Sequence, residues 1–221
     1  MRLPPRAYTC VLLALPAVLV LVGCAAKRGP KAGAHGRQPE PVVLSAYVYV
    51  DADFVARFGS LEGKGRGKIN DWLWETERQM QTEFPIFLTL ADIGAWCLPP
   101  GALDGTAIFE KYVPAGWPPE SRANCLIAIT GRKGVYWSGV AEWPRIFVKA
   151  QAAEPVDEKT VGMLCHEISH WFGARDIIDP DFPERSVMNY KDARFGVVDG
   201  RVVWDRANRE RIRQGIAAWR E

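Results

Sequence analysis

Residues 165–190 read CHEISHWFGARDIIDPDFPERSVMNY. His166 and His170 stand four apart with Glu167 between them, and the helical repeat carries residues four apart to one face. The run EPVDEKTVGMLCHEISHWFG (154–173) has helical spacing from about Asp157, and Gly173 stops it as a C-terminal glycine does. Two imidazoles on one face suit a single ion about 2.0–2.1 Å from each nitrogen. Glu167, one position on, is angled away from such an ion but close enough to reach a water there, which suits a general base. The chain holds three histidines, and the third, His35, lies in a polar N-terminal tract. A third imidazole ligand is therefore nearly excluded, and another residue type has to complete the site. The bland alternative is a helix whose histidines and glutamate are solvated or satisfied internally.

The continuation argues against that alternative. Gly173 is three past His170, and Asp176 is three past Gly173. The string His-Glu-x-x-His-x-x-Gly-x-x-Asp resembles the extended zinc motif of the metzincin metallopeptidases, with aspartate in place of the usual third histidine. Small snapalysin-type members share that aspartate. A glycine suits the place, because the chain must bend sharply after the helix and positive φ costs least there. The resemblance implies Zn2+ held by His166, His170 and Asp176, with Glu167 as base. Asp179 is the alternative third ligand, although only Asp176 keeps the spacing. Ser186-Val187-Met188-Asn189-Tyr190 resembles the family's Met-turn. That likeness implies Met188 packed beneath the ligands and a Tyr190 hydroxyl near the metal, assisting the oxyanion.

SGVAEW (138–143) looks like the family's edge strand, which pairs with an extended substrate; an ordinary hairpin strand is the alternative. Cys165 points about a quarter turn away from His166 and reads as a small buried residue. No cysteine-switch segment is found, and Cys97 in AWCLPPG lacks its flanking pattern. The function implied by the resemblance is that of a zinc-dependent endopeptidase acting on protein or peptide. Two rivals stay open: a non-catalytic binding lipoprotein stabilised by zinc, and a zinc hydrolase of non-peptide cell-wall amides. Structural zinc sites are usually closed and four-coordinate, whereas three ligands are supplied here.

Working outward, PVVLSAYVYVD (41–51) alternates as a strand does, and INDWLWETERQMQTEF (69–84) has helical spacing with Asn70 or Asp71 as cap. GSLEGKGRGK (59–68) reads as a surface loop without phosphate-loop spacing. IFLTLADIGAWCL (86–98), CLIAITG (125–131) and RIFVKA (145–150) read as strands, and TAIFEKYV as a weak helix. A hairpin (194–204) and a last helix (205–221) close the chain. This order predicts an α/β (α+β) domain with one mixed sheet, an active-site helix and a small C-terminal part ending in a helix.

The first residues are of another kind. Arg2 and Arg6 precede the apolar run CVLLALPAVLVLVG, which is short for a membrane span. It ends in Leu21-Val22-Gly23-Cys24, which resembles the lipobox of bacterial lipoprotein signal peptides. The implied products are a signal peptide (1–23), a lipidated Cys24 with a flexible Gly/Pro/Lys tether (24–40) and a domain at 41–221. Export to the cell envelope and a lipid anchor in its membrane follow. At 221 residues, with 48% apolar and 24% charged residues, the rest suffices for one core. The net charge of +2 disappears once Arg2 and Arg6 leave, so nucleic acid is an unexpected partner and membrane attachment rests on the lipid. A monomer is expected. Of five cysteines, Cys10 leaves with the signal; Cys97 and Cys125 are the expected disulfide, leaving Cys165 odd.

Overall fold

The computed structural model describes residues 40–135, 139–150, 158–179, 181–189 and 196–219. The N-terminal apolar run, Cys24, most of the tether and Tyr190 lie outside the described residues. In chain order the elements are β1 (Val42–Val50), α1 (Ala52–Phe58), α2 (Lys64–Gln81), β2 (Ile86–Ala95), α3 (Gly105–Tyr112) and β3 (Cys125–Thr130). There follow β4 (Gly139–Glu142), β5 (Arg145–Lys149), α4 (Glu158–Trp171), β6 (Val197–Val198), β7 (Arg201–Val202) and α5 (Arg206–Ala218). No described helix is long and apolar enough to cross a membrane.

β3 explains the layering. All six of its residues are buried, as in a strand covered on both faces. Cys125, Ile127 and Ile129 point into a core shared with Phe54, Trp72 and Leu164 of α1, α2 and α4. Leu126 and Ala128 point the other way, onto Ile108 and Phe109 of α3. The sheet runs β2-β1-β3-β5-β4, parallel except for β4, which pairs antiparallel with β5 at one edge. The fold is thus mixed α/β with a five-stranded mixed sheet and five helices among the described residues. The β6–β7 hairpin and α5 make up the C-terminal part.

Two local expectations are corrected. α2 begins at Lys64, not near Ile69, and neither Asn70 nor Asp71 caps it; the cap position is Gly63, without a side-chain bond. The glycines read as loop are needed for close approach. A Cβ on Gly65 would overlap Gly59 O and lie 2.9 Å from Ser60 O, so the first helical turn rests against the turn before it. α1, absent from the sequence reading, starts where the Asp51 carboxylate accepts the Phe54 amide at 2.8 Å.

The Cys97–Cys125 disulfide is also corrected: both thiols are free, as is that of Cys165. Cys125 pairs with Ala46 near the middle of β1, whereas Cys97 lies beyond Ala95, which pairs with Val50 on the far side of β1. Two strand spacings, about 9–10 Å, already exceed the Cα separation of about 6.8 Å that a disulfide spans. Burial pushes the Cys125 thiol up to about 12 and raises that of Cys165 too. Both behave as small apolar residues, as expected of Cys165.

Candidate metal centre

α4 carries Val161, Leu164 and Ile168 into the core under the sheet, and the same packing fixes the rotation of the helix. Its last turns then present His166 and His170 together, with ring centroids 4.8 Å apart and planes at 83°. Gly173, at φ +86°, ends the helix, and the amides of Gly173 and Ala174 return to the carbonyls of His170 and Ser169. That bend places Asp176 back over the rings. Its Oδ1 lies 3.1 Å from His166 Nε2 and 3.4 Å from His170 Nε2, and the two Nε2 atoms are 3.1 Å apart.

The protons on the rings are set by their outer partners. His166 Nδ1 is 2.8 Å from Val187 O and His170 Nδ1 is 2.9 Å from Ala174 O. A carbonyl only accepts, so each Nδ1 carries hydrogen and each neutral ring turns an Nε2 lone pair inward. Two ring nitrogens and a carboxylate oxygen converge on one point, and such electron-rich atoms come together around positive charge, either protons on the rings or a metal ion that replaces them. The triangle has the right size: donors about 2.0–2.1 Å from a tetrahedral ion stand roughly 3.3–3.4 Å apart. The residues present therefore fit zinc.

Two donor sets can be drawn here. Atoms of His166, Glu167 and His170 lie within 4.8 Å of one another. Glu167 Oε1, however, is 3.9 Å from His166 Nε2, longer than a coordination edge, whereas Asp176 is at coordination spacing from both rings. By distance Asp176 is placed to complete a donor triangle with the two rings, and Glu167 stands beside it. Asp179 is turned to another task, accepting the Asp181 amide at 2.9 Å.

Charge follows from this geometry. Burial alone would lower both imidazoles, but the hydrogen bonds to Asp176 and the nearby Glu167 charge raise them above the ordinary histidine range. Burial would raise Asp176, yet the two rings hold its carboxyl well below the usual carboxylate range. Glu167 is pushed up to about 7, chiefly by burial and against the pull of the imidazoles. A carboxylate near neutrality is poised to take and give a proton.

Several supporting residues had no signal in the sequence. Gly139, at the start of β4, lies against Glu167: a Cβ there would overlap Oε1 and come within 2.6 Å of Cδ and 2.7 Å of Met163 Sδ. Asn208, at the start of α5, accepts the Arg175 amide at 2.8 Å and donates to Arg175 O at 3.0 Å, which holds the backbone beside Asp176. Asn208 is held in turn by the Asp205 cap, whose carboxylate also accepts the Ser186 hydroxyl at 2.8 Å. Ser186 opens the turn containing Met188, which is wholly buried, and Val187 of that turn orients His166. The Ile177 amide donates to Met188 O at 2.8 Å, joining the loop after Gly173 to the same turn. The loop carrying Asp176, the Met188 turn and α5 are one connected support.

No protein-family model matches the chain, and no curated protein matches it. Among solved structures, a chain from a chaperone–substrate complex overlays 81% of this chain and 35% of its own, at 11% identity and a TM-score of 0.50. Metalloproteinase-II from Bacteroides fragilis overlays 81% of this chain and 55% of its own, at 15% identity and a TM-score of 0.49. This chain spans about a third and about half of those two chains. The likeness to the first is one of fold alone.

Proposed function

We propose that the protein is a zinc-dependent endopeptidase, exported and tethered to a cell-envelope membrane through a lipid on Cys24. The observation that carries the peptidase reading is the convergence of His166 Nε2, His170 Nε2 and Asp176 Oδ1 at tetrahedral spacing with Glu167 alongside. When bound, zinc supplies Lewis acidity and a water acidic enough to attack a carbonyl near neutral pH. Glu167 takes the proton and passes it to the departing amine. Met188 fills the floor, and Tyr190, the residue after the described Asn189, is the donor to the developing oxyanion. β4, unpaired on its outer side among the described residues, offers backbone groups to an extended peptide, which favours a peptide over a compact amide.

The test is metal analysis of the purified protein coupled to cleavage of casein and of isolated cell wall, each with and without chelator. About one zinc per chain and chelator-sensitive casein cleavage are expected, and zinc without any hydrolysis would favour the non-catalytic reading. In fractionated cells, Cys24→Ser is expected to move the protein out of the membrane pellet; an unmoved variant would remove the anchor from the proposal.

Gly139 supplies a finer prediction. Gly139→Ala must displace the ends of the Glu167 and Met163 side chains, not backbone. Little loss of melting temperature is expected, but turnover should fall by about 10²-fold, as for a misplaced reacting group. Wild-type turnover in that variant would show that the Glu167 carboxylate works from another position.

A further inference from the structure

Beside the metal donors lies an exposed aromatic cluster that the chemistry does not use. Trp143 directly follows β4 and is 43% exposed. Its ring meets Trp171 edge-on at 5.1 Å and Trp219 at 4.2 Å, and Trp219 in turn lies 5.2 Å from Phe172. Trp171 follows the ligand His170, and Trp219 follows α5 and is 36% exposed. A shallow groove bounded by Trp171, Trp219, Arg211 and Gln214 continues from the cluster.

Its place along the fold gives it meaning. Gly139, at one end of β4, touches Glu167 and Met163, while Trp143, at the other end, touches Trp171. The strand advances about 14 Å over those four steps, and α4 about 12 Å from Met163 to Trp171. β4 therefore runs alongside α4 in the same direction, with His166 and His170 between its ends. A chain laid on the outer edge of β4 passes the metal donors and then reaches Trp143. Antiparallel pairing is the more stable arrangement per residue, and it puts the N-terminal side of that chain at the tryptophans.

We propose that Trp143, Trp171 and Trp219 form a substrate subsite for an aromatic or large aliphatic side chain two or three residues N-terminal to the bond cut. This rests on the peptidase reading and adds its selectivity. Tryptophan edges and faces offer large, rigid apolar contact with little ordering cost, which is why such residues dominate binding hot spots. Backbone pairing through the outward-facing residues of β4, about two of its four, aligns the chain, and the cluster selects among sequences.

The experiment is a cleavage profile of a proteome-derived peptide library by the full-length, zinc-loaded protein in detergent. Matched peptides carrying Trp or Ala at the selected position follow. Wild type is expected to favour the Trp peptide about 10–100-fold in kcat/KM, mainly through KM. Trp143→Ala and Trp219→Ala should bring the ratio below about 3, and Trp143→Phe should restore most of it. Cleavage with no aromatic or aliphatic preference N-terminal to the bond overturns the subsite alone, and needs no variant to fold. No cleavage of any library peptide overturns the peptidase reading and the subsite together. Loss of binding to phosphatidylcholine vesicles in Trp143→Ala, with the peptide ratio unchanged, would assign the cluster to a membrane surface and overturn the proposal.

Discussion

Glu167→Gln is expected to lower kcat by about 10²–10⁴-fold while the metal content stays at the wild-type level. Glutamine keeps the size and one hydrogen-bonding oxygen of the side chain but cannot accept the proton, and general base catalysis contributes about that factor. The proposed coordinating atoms belong to His166, His170 and Asp176, with Glu167 Oε1 outside their triangle, so the ion should remain. Stability should hold or rise slightly in the metal-free protein. Burial pushes the Glu167 carboxyl up to about 7, so the native state disfavours its charged form, and a neutral amide escapes that penalty. The measurements are steady-state kinetics, metal stoichiometry and a thermal melt. Near-wild-type kcat would rule out Glu167 as base, and lost metal would make it a ligand instead.

Asp176→Ala is expected to weaken zinc binding by about 10²–10⁴-fold, with hydrolysis lost in proportion. Structural zinc sites hold their ion with about 10–16 kcal/mol at neutral pH, and one ligand in three accounts for roughly 3–5 kcal/mol of that. Asp179→Ala is the matched comparison. Its carboxylate is engaged with the Asp181 amide and should leave zinc affinity within a few-fold. Competition against a chelator of known affinity reads both variants. If Asp179→Ala released the metal and Asp176→Ala did not, the ligand assignment would be reversed. Asn208→Ala, which frees the Arg175 backbone without touching a donor, should fall between them, as outer supports shift affinity by about 10–100-fold.

The parts legible in the sequence are those encoded within a few neighbours. His166, Glu167 and His170 declare themselves by helical spacing, and Gly173 with Asp176 by the need for a bend. The strands at 42–50, 86–95, 125–130 and 145–149 declare themselves by apolar pattern. What escaped is set by close approach across the fold. Gly65 sits within the first turn of a helix because backbone lies where its Cβ would be, and local propensity alone argues for a loop there. Gly139 meets Glu167 from 28 positions earlier in the chain, and nothing near Gly139 announces it. The expected pairing of Cys97 with Cys125 failed because β1, earlier in the chain, lies between their strands. The three tryptophans come from three elements and meet only once β4 is laid along α4.

β4 has one more consequence. An open edge beside a metal can recruit another copy of the same chain as readily as a client peptide, and unpaired edges are where sheets polymerise. Here the edge is four residues long, and Pro144 stops its extension just past Trp143. Alternate residues turn their polar backbone outward, so about two residues can pair there. On the proposed reading that is enough to steady a segment held by an ion, and it is too little to zip two proteins together.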